Sequence, residues 1–231
     1  MKALILAAGR GSRLGKLTDS LPKPLVEVKG KPVISYLIDK LINLNVTEIF
    51  INMHYKHELL EKFILDSSYK VKLNLIYEPT LLGTAGTLKS LNDQLSTEDF
   101  IVMHADNYFQ DDLKVLMQKH LATNSDYLIT LGTFLVTSPE KFGTVALTYD
   151  NTVIKFFEKK QNSPSKIANS AIYFMKPGIK EEIDKLNEYE NDISLHLIPK
   201  LLGKIKAFEL TGYFYDIGTP ENLLLANKSN L

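Results

Sequence analysis

Residues 2–16, KALILAAGRGSRLGK, join a short apolar strand directly to a glycine-rich loop. Small residues after a buried strand let backbone N–H groups approach phosphates and a base at the carboxyl edge of a sheet. The loop nevertheless departs from two common phosphate-binding motifs. A dinucleotide fingerprint needs a third glycine where Leu14 stands, and a P-loop needs a glycine and a hydroxyl residue at the positions of Arg10 and Leu17. We therefore expect a phosphate site of a different type.

The two arginines of this loop are the second signal. Arg10 and Arg13 are the only arginines among 27 basic residues, and the others are lysines. A planar guanidinium binds phosphate in a bidentate manner, which favours a phosphate-binding role over chance clustering on a solvated loop. Lys23 follows shortly, and its neighbours Pro22 and Pro24 predict that it lies on a stiff, extended segment.

The composition limits the possible partners. With 231 residues and 45% hydrophobic side chains, the chain can bury a large core. Its 27 basic and 27 acidic residues cancel, which argues against nucleic acid as a partner. The first apolar stretch is too short to span a membrane and lacks signal-peptide features, so we expect no membrane partner and a cytoplasmic location. The chain has no cysteine, which excludes disulfides and thiolate metal ligands.

Up to about residue 125, apolar strands alternate with amphipathic helices. After the opening strand, the predicted strands are EIFINM, VKLNLIYE and DFIVMHAD, and the predicted helices are PVISYLIDKLINLN, HELLEKFIL, AGTLKSLNDQL and DLKVLMQKHLAT. This alternation is typical of an α/β fold with a mostly parallel sheet, in which ligands bind at the carboxyl ends of the strands.

Beyond residue 125, predicted strands follow each other more closely. TVALTYDNTVIKFFEK predicts a hairpin around Asp150 and Asn151. The other predicted elements are the strands YLITLGTFLV, ANSAIYFMK and KIKAFEL, and helices from about Pro177, across ISLHLIPKLL and after the N-cap Thr219. No linker divides the chain, so we expect one domain over residues 1–231, with a nucleotide-binding half at about 1–125 and a second-substrate half at about 126–231.

The motifs resemble those of one family. LILAAGRGSRLGKLTDSLPKPL resembles the signature of the sugar-1-phosphate nucleotidyltransferases, and EPTLLGTAGTL, HADNYF, FEKK, ANSAIYF and YFYDIGTPENL follow in that family's order. Within the family, the chain is most similar to short bacterial guanylyltransferases for mannose- or heptose-1-phosphate. The resemblance implies an α/β, Rossmann-like three-layer sandwich with a mixed, mostly parallel sheet, of the nucleotide-diphospho-sugar transferase type. It also implies transfer of a nucleoside monophosphate from a nucleoside triphosphate to a sugar-1-phosphate.

The same resemblance implies residue roles. Transfer without a covalent enzyme intermediate depends on alignment and on neutralising negative charge. Arg13 would hold the departing pyrophosphate, and Lys23 would neutralise the α-phosphate; with Asp106 they form the predicted catalytic set. The predicted nucleotide contacts are Leu6, Ala7, Ala8, Gly9, Arg10, Gly11, Glu78, Gly83 and Thr84.

Two aspartates are the candidate metal ligands. Asp106 ends the predicted apolar strand DFIVMHAD, and Asp216 ends the stretch YFYD much later in the chain. Magnesium takes one or two carboxylates and completes its coordination with phosphates and water, so we expect Mg²⁺ here. The alternative for Asp106 is a turn or a helix cap, and the alternative for Asp216 is a turn before Thr219.

The resemblance also implies the residues that contact the base and the sugar, and it places a base-reading side chain near Glu78, at the end of a predicted strand. A carboxylate at Glu78 accepts hydrogen bonds, and guanine offers two adjacent donors where uracil and thymine offer one, so we predict GTP. The predicted sugar contacts are Gly143, Glu158, Lys159 and Asn169. Glu158 and Lys159 both face the sugar only if the strand ends there. Ser170 stands where the family commonly has glycine, and its side chain could narrow the pocket.

Other functions remain open from the sequence. They are a uridylyl-, thymidylyl- or cytidylyltransferase for another sugar phosphate or phosphocholine, a non-catalytic nucleotide-sugar sensor, and an NAD-dependent oxidoreductase, which Leu14 disfavours. His104 lacks neighbours at metal-ligand spacing and is expected to pack. We expect a monomer or a homodimer.

Overall fold

The computed structural model describes residues 1–229. These residues form thirteen strands. They are β1 (Lys2–Leu6), β2 (Glu27–Val28), β3 (Lys31–Pro32), β4 (Glu48–Met53), β5 (Lys72–Tyr77), β6 (Phe100–His104), β7 (Asn107–Phe109), β8 (Ile129–Leu135), β9 (Gly143–Leu147), β10 (Val153–Glu158), β11 (Ile167–Met175), β12 (Ile205–Glu209) and β13 (Phe214–Asp216).

The same part of the chain forms eight α-helices. They are α1 (Lys16–Ser20), α2 (Val33–Asn43), α3 (His57–Leu65), α4 (Thr84–Ser90), α5 (Asn92–Leu95), α6 (Leu113–Leu121), α7 (Lys180–Asp184) and α8 (Pro220–Lys228). No helix within residues 1–229 is long and apolar enough to cross a membrane.

The chain forms two compact units built from interleaved segments. Among the described residues, the first unit contains Met1–Leu81, Met103–Leu113 and 212–229; the second contains Leu82–Val102 and Lys114–Thr211. The units therefore group residues by contact and not by chain order. The predicted assignment of one substrate to each half of the chain stays a prediction.

The first unit is built on parallel strands. β1 pairs with β4 from Lys2↔Glu48 to Leu6↔Asn52, and β4 pairs with β5 through Met53↔Tyr77. β1 and β4 are almost completely buried, as expected for central strands covered on both faces. The carboxyl ends of β1 and β4 therefore lie side by side.

The second unit is built mainly on antiparallel pairs. β11 pairs with β8 and at one position with β9, while β12 runs parallel to β8. The predicted hairpin is confirmed: β9 and β10 are antiparallel, and Asn151 in the turn has a left-handed φ of 64°. With parallel pairs in one unit and mostly antiparallel pairs in the other, the predicted α/β class with mixed strand pairing is confirmed.

Three local predictions are wrong. The helix predicted over AGTLKSLNDQL divides into α4 and α5 at Leu91, where φ is −108° and ψ is 8°. ISLHLIPKLL forms a π-helical turn and a 3₁₀ turn, since Pro199 has no N–H to continue an α-helix. Lys23 begins a 3₁₀ turn, in which the Leu25 N–H donates to the Pro22 carbonyl, and the extended backbone lies before it, at Leu21 and Pro22.

Candidate functional site

A short strand pair in the first unit brings the two candidate metal ligands together. β7 and β13 are antiparallel, with Asn107 opposite Asp216. The Ile217 N–H continues the pairing by donating to the Asp106 carbonyl at 2.9 Å. The predicted helix after Thr219 is confirmed as α8, whose first turn is capped by the Thr219 side chain. Two aspartates that are far apart in sequence therefore become neighbours.

The predicted cations lie at the same place. Lys23 Nζ donates to Asp106 Oδ2 and lies 3.9 Å from Asp216 Oδ1. Arg13 Nη2 lies 4.0 Å from Asp216 Oδ2. The Lys23 side chain is 12% exposed and the Arg13 side chain 64%, so Lys23 is fixed while Arg13 stays accessible to a ligand. We call these four residues the charged cluster: Arg13, Lys23, Asp106 and Asp216.

Two glycines allow this close approach. A Cβ on Gly218 would lie 2.7 Å from Asp216 Oδ1, 2.8 Å from Lys23 Nζ and 2.9 Å from Arg13 Nη2. Gly11 has a left-handed φ of 69°, and a Cβ there would lie 2.9 Å from Lys23 Cβ. Any side chain at either position would therefore displace the charged cluster. By contrast, a Cβ on Gly9 would meet no atom within 4 Å, so the loop has room beside it.

The electrostatics of the cluster favour a bound cation. Burial opposes ionisation of Asp106, but Lys23 and His104 outweigh it and lower the pKa of Asp106 to about 2. Burial and the negative charge of Asp106 raise the pKa of Asp216 above its usual value, although Lys23 and Arg13 oppose this. The two carboxylates repel each other, and an added cation relieves that repulsion.

The carboxylate pair fits magnesium better than a metal held by protein alone. Within residues 1–229 there is no group of three or more His, Asp or Glu side chains able to hold a metal ion. Asp106 and Asp216 supply the one or two carboxylates that Mg²⁺ commonly takes from a protein. The remaining ligands would have to be substrate oxygens and water.

Glu78 directly follows β5, and its N–H donates to the Met53 carbonyl at the end of β4, but it is only 2% exposed. Its Oε1 accepts a hydrogen bond from Asn52 Nδ2 at 2.8 Å, and its carbonyl lies 2.8 Å from His54 Nδ1. Asn52 Oδ1 accepts in turn from the Ala7 N–H at 2.6 Å. Sequence reasoning missed Asn52, since an asparagine inside a buried strand gives no signal without its partners.

The other loop residues differ in exposure. Leu6, Ala7 and Ala8 are buried, whereas Gly9 and Arg10 are exposed. The Arg10 guanidinium lies 5.2 Å from the centroid of the Tyr55 ring. Within residues 1–229 it has no carboxylate partner, so its N–H donors remain available to an anion.

Gly83 and Thr84 lie in the second unit, at the start of α4. Gly83 has a left-handed φ of 79°, and a Cβ there would lie 2.4 Å from the Asn191 carbonyl. Thr84 Oγ1 accepts from the Ile193 N–H, and the Ala85 N–H donates to Asn191. Gly83, Thr84 and Ala85 therefore contact the segment at 191–193. Contact of Gly83 and Thr84 with a nucleotide stays a prediction.

The candidate sugar contacts also belong to the second unit. β10 ends at Glu158, and Lys159 has a left-handed φ of 43°, so the strict alternation of a strand stops there. Glu158 Oε1 lies 3.3 Å from Lys159 Nζ, which places both side chains together. A Cβ on Gly143 would lie 2.8 Å from Glu158 Oε2. Gly143, Glu158 and Lys159 therefore form one local group.

Asn169 lies in an irregular part of β11. The register against β8 shifts between Asn169 and Tyr173, and Asn169 Oδ1 accepts from the Ala171 N–H at 2.7 Å. Asn169 Nδ2 lies 2.9 Å from the hydroxyl oxygen of Tyr173 and 3.4 Å from Ser194 Oγ. Sequence reasoning missed Tyr173 and Ser194, which lie in predicted core segments.

The prediction that the Ser170 side chain narrows the sugar pocket is wrong. Ser170 is 1% exposed, and its hydroxyl donates to the Gly132 carbonyl at 2.7 Å inside the strand pair. The backbone that favours glycine is one residue later, at Ala171, with φ of 54°. The Ser170 side chain therefore stays within the pairing of β8 and β11.

The geometry places two cations beside two carboxylates, an arrangement that suits a polyphosphate and its metal ion. The sequence matches the family described as Nucleotidyl transferase over residues 2–231. The chain therefore belongs to the nucleotidyl transferase family, which confirms the family inferred from the motifs.

The matched relatives include proteins of two lengths. The chain is 32% identical to the bifunctional protein GlmU of Methanocaldococcus jannaschii, covering 99% of this chain but 54% of that protein. It thus spans about half the length of the first curated relatives it matches. It is 30% identical to D-glycero-alpha-D-manno-heptose 1-phosphate guanylyltransferase of Aneurinibacillus thermoaerophilus, covering 99% and 97%.

A solved structure has the same fold. HddC from Yersinia pseudotuberculosis superposes with a TM-score of 0.81 at 29% identity, covering 98% of this chain and 97% of that one. HddC has also been solved in complex with GMP-PN, with a TM-score of 0.80.

Proposed function

We propose that this chain transfers GMP from GTP to a sugar-1-phosphate of the mannose or heptose type and releases pyrophosphate. The observation that carries the proposal is the convergence of Arg13, Lys23, Asp106 and Asp216 in one cluster of the first unit. Two cations beside two carboxylates suit a polyphosphate and its metal ion. Two similar proteins support GTP as the nucleotide. One is the heptose 1-phosphate guanylyltransferase, which is nearly equal in length to this chain, and the other is HddC, which has been solved with GMP-PN.

In the proposed reaction, a phosphate oxygen of the sugar-1-phosphate forms a bond to the α-phosphorus of GTP. The bond from that phosphorus to pyrophosphate breaks, so no covalent enzyme intermediate forms. Mg²⁺, held by Asp106 and Asp216, supplies positive charge to the phosphates when it is bound. Lys23 neutralises the α-phosphate, and the exposed Arg13 binds the departing pyrophosphate, with Arg10 as a further contact.

The remaining predicted residues recognise the two substrates. Leu6, Ala7, Ala8, Gly9 and Gly11 offer backbone contacts to the nucleotide, as do Gly83 and Thr84. Glu78 accepts hydrogen bonds from guanine. Gly143, Glu158, Lys159 and Asn169 bind the sugar phosphate, with Lys159 on its phosphate and Glu158 on its hydroxyls. A cytoplasmic location and a monomeric or homodimeric state stay predictions.

A matrix of substrates tests the proposal. Pyrophosphate release is measured with GTP, UTP, dTTP and CTP against mannose-, heptose-, glucose- and N-acetylglucosamine-1-phosphate, with Mg²⁺ and with a chelator. We expect the fastest release with GTP and mannose- or heptose-1-phosphate, and none with the chelator. Faster release with UTP or dTTP would contradict the guanine assignment. Binding without turnover of any pair would support a nucleotide-sugar sensor instead.

A further inference from the structure

Asn52 occupies a position that normally holds an apolar side chain. It lies in β4, opposite Leu6 of β1 and Ile76 of β5, and it is only 3% exposed. A buried amide is costly unless its donors and acceptor are satisfied. The partners of this amide therefore indicate why it is there.

The orientation of the Asn52 amide follows from its partners. The Ala7 N–H can only donate, so the amide oxygen must face it, at 2.6 Å. The amide nitrogen then faces Glu78 Oε1, at 2.8 Å, where it donates to the carboxylate. One side chain thus links the start of the glycine-rich loop to Glu78, all within the first unit.

We infer that Asn52 is a positioning residue for base selection. This inference rests on the proposed function, in which Glu78 accepts hydrogen bonds from the base. Asn52 fixes one carboxylate oxygen of Glu78 and sets it against the Ala7 backbone.

The isosteric variant Asn52→Asp separates these roles. The new carboxyl group still accepts from the Ala7 N–H, but it presents an acceptor to Glu78 in place of a donor. Two carboxylates in contact repel each other, and one is driven to bind a proton. We expect the ratio of kcat/KM for GTP to kcat/KM for UTP to fall at least tenfold at pH 8. Part of this loss should be restored at pH 6, where a shared proton supplies the missing donor.

The neighbouring strand pair supplies a matched control. Asn74 of β5 donates from Nδ2 to Glu48 Oε1 at 2.8 Å, the same interaction at the opposite end of the same two strands. Asn74→Asp also creates a contact between two carboxyl groups, there with the Lys72 ammonium beside Glu48. We expect it to lower the melting temperature but to change the nucleotide ratio less than twofold, without the pH-dependent recovery.

The outcomes distinguish this inference from the proposed function. A wild-type enzyme that prefers a base other than guanine contradicts the guanine assignment. The inference is supported if Asn52→Asp alone changes the preference among nucleotides, and it is overturned if both variants change it equally or neither does. If Asn52→Asp does not fold, Asn52→Ser replaces it, with the same ratio of GTP to UTP as the readout. If the protein turns over no substrate, the binding constants for GTP and UTP are measured instead. The ratio of these two constants then replaces the ratio of kcat/KM in the comparison of the two variants.

Discussion

The two units hold their candidate residues in different ways. In the first unit, charged side chains of opposite sign contact one another: Lys23 bonds Asp106, and Lys23 and Arg13 approach Asp216. In the second unit, Glu158 and Lys159 form one ion pair, while Asn169, Tyr173 and Ser194 form neutral hydrogen bonds around a bulge. Burial raises the pKa of Tyr173 to about 12, so its hydroxyl stays protonated at neutral pH.

This difference matches the chemistry proposed for each ligand. A polyphosphate and a metal ion carry full charges. Side chains that are paired with each other can release that partner and bind the charged ligand instead. Sugar hydroxyls are neutral and directional, and they suit fixed donors and acceptors. Variants that remove charge should therefore act most strongly in the first unit.

Neutralising Asp106 should have the largest effect. Asp106→Asn removes a proposed metal ligand and the carboxylate that Lys23 contacts. A metal at a reacting phosphate contributes several kcal/mol, and each 1.36 kcal/mol is a tenfold change in rate, so we expect kcat to fall by about 1,000-fold. Pyrophosphate release measures the effect. Asp39→Asn, which breaks the ion pair between Asp39 on α2 and Lys31 on β3, is the control and should retain activity.

A fall in pH should lower the free energy of unfolding through His120 of the second unit before it affects the charged cluster. His120 is 1% exposed, and burial, helped by Lys176, lowers its pKa to about 4 although Asp99 opposes this. Below about pH 6.5, the ordinary pKa of histidine, His120 gains a proton in the unfolded chain but not in the folded chain. The free energy of unfolding therefore decreases as the pH falls from about 6.5 to about 4. The loss is about 3 kcal/mol.

Urea unfolding between pH 4.5 and 8 measures this loss. His120→Gln should flatten the dependence on pH. Asp106→Asn should keep it, because the lowered pKa of Asp106, about 2, affects stability only below its usual value of 3.8. An unchanged slope in His120→Gln would refute the assignment to this histidine.

Adding one methyl group tests how closely the charged cluster is packed. The Cβ of Gly218→Ala would meet Asp216, Lys23 and Arg13 at 2.7–2.9 Å. Overpacking of this kind costs about 1–3 kcal/mol, so we expect kcat to fall roughly tenfold to hundredfold. Gly178→Ala, whose Cβ would meet only a leucine methyl at 3.2 Å, should change kcat less than twofold. Equal rates for both variants would show that the cluster can adjust.

Removing a charge in the second unit should have a smaller effect on one substrate only. Glu158→Gln keeps the shape of the side chain but removes its charge and its ion pair with Lys159. A hydrogen bond to a charged group exceeds a neutral one by about 1 kcal/mol, so the KM for the sugar phosphate should rise about fivefold to tenfold. The affinity for GTP should not change. Glu182→Gln, which removes ion pairs with Lys185 and Lys204, should leave both constants unchanged.

The sequence predicted the regular elements well because their signals are local. EIFINM and HELLEKFIL have the predicted boundaries, as β4 and α3. The charged residues were also predictable, since two arginines in a glycine loop and aspartates after apolar strands are visible without coordinates. The motifs shared with one family then implied the roles of these residues.

The remaining features depend on contacts between distant segments. Nothing local in FYD shows that β13 pairs with β7 and brings Asp216 to Asp106. Asn52 in EIFINM gains its meaning only from Ala7 and Glu78. The direction of the Ser170 side chain depends on a bulge, which the period of the strand does not predict.

That bulge provides the smallest and most specific prediction. Ala171 has a left-handed φ of 54°, a conformation that costs an L-residue with a Cβ more than it costs glycine. Ala171→Gly should therefore raise the free energy of unfolding by about 0.5–1 kcal/mol. Ala168→Gly, in the regular part of β11, should lower it by a similar amount. Urea unfolding of both variants checks the opposite signs, and a loss of stability in both would mean that the bulge is not strained at Ala171.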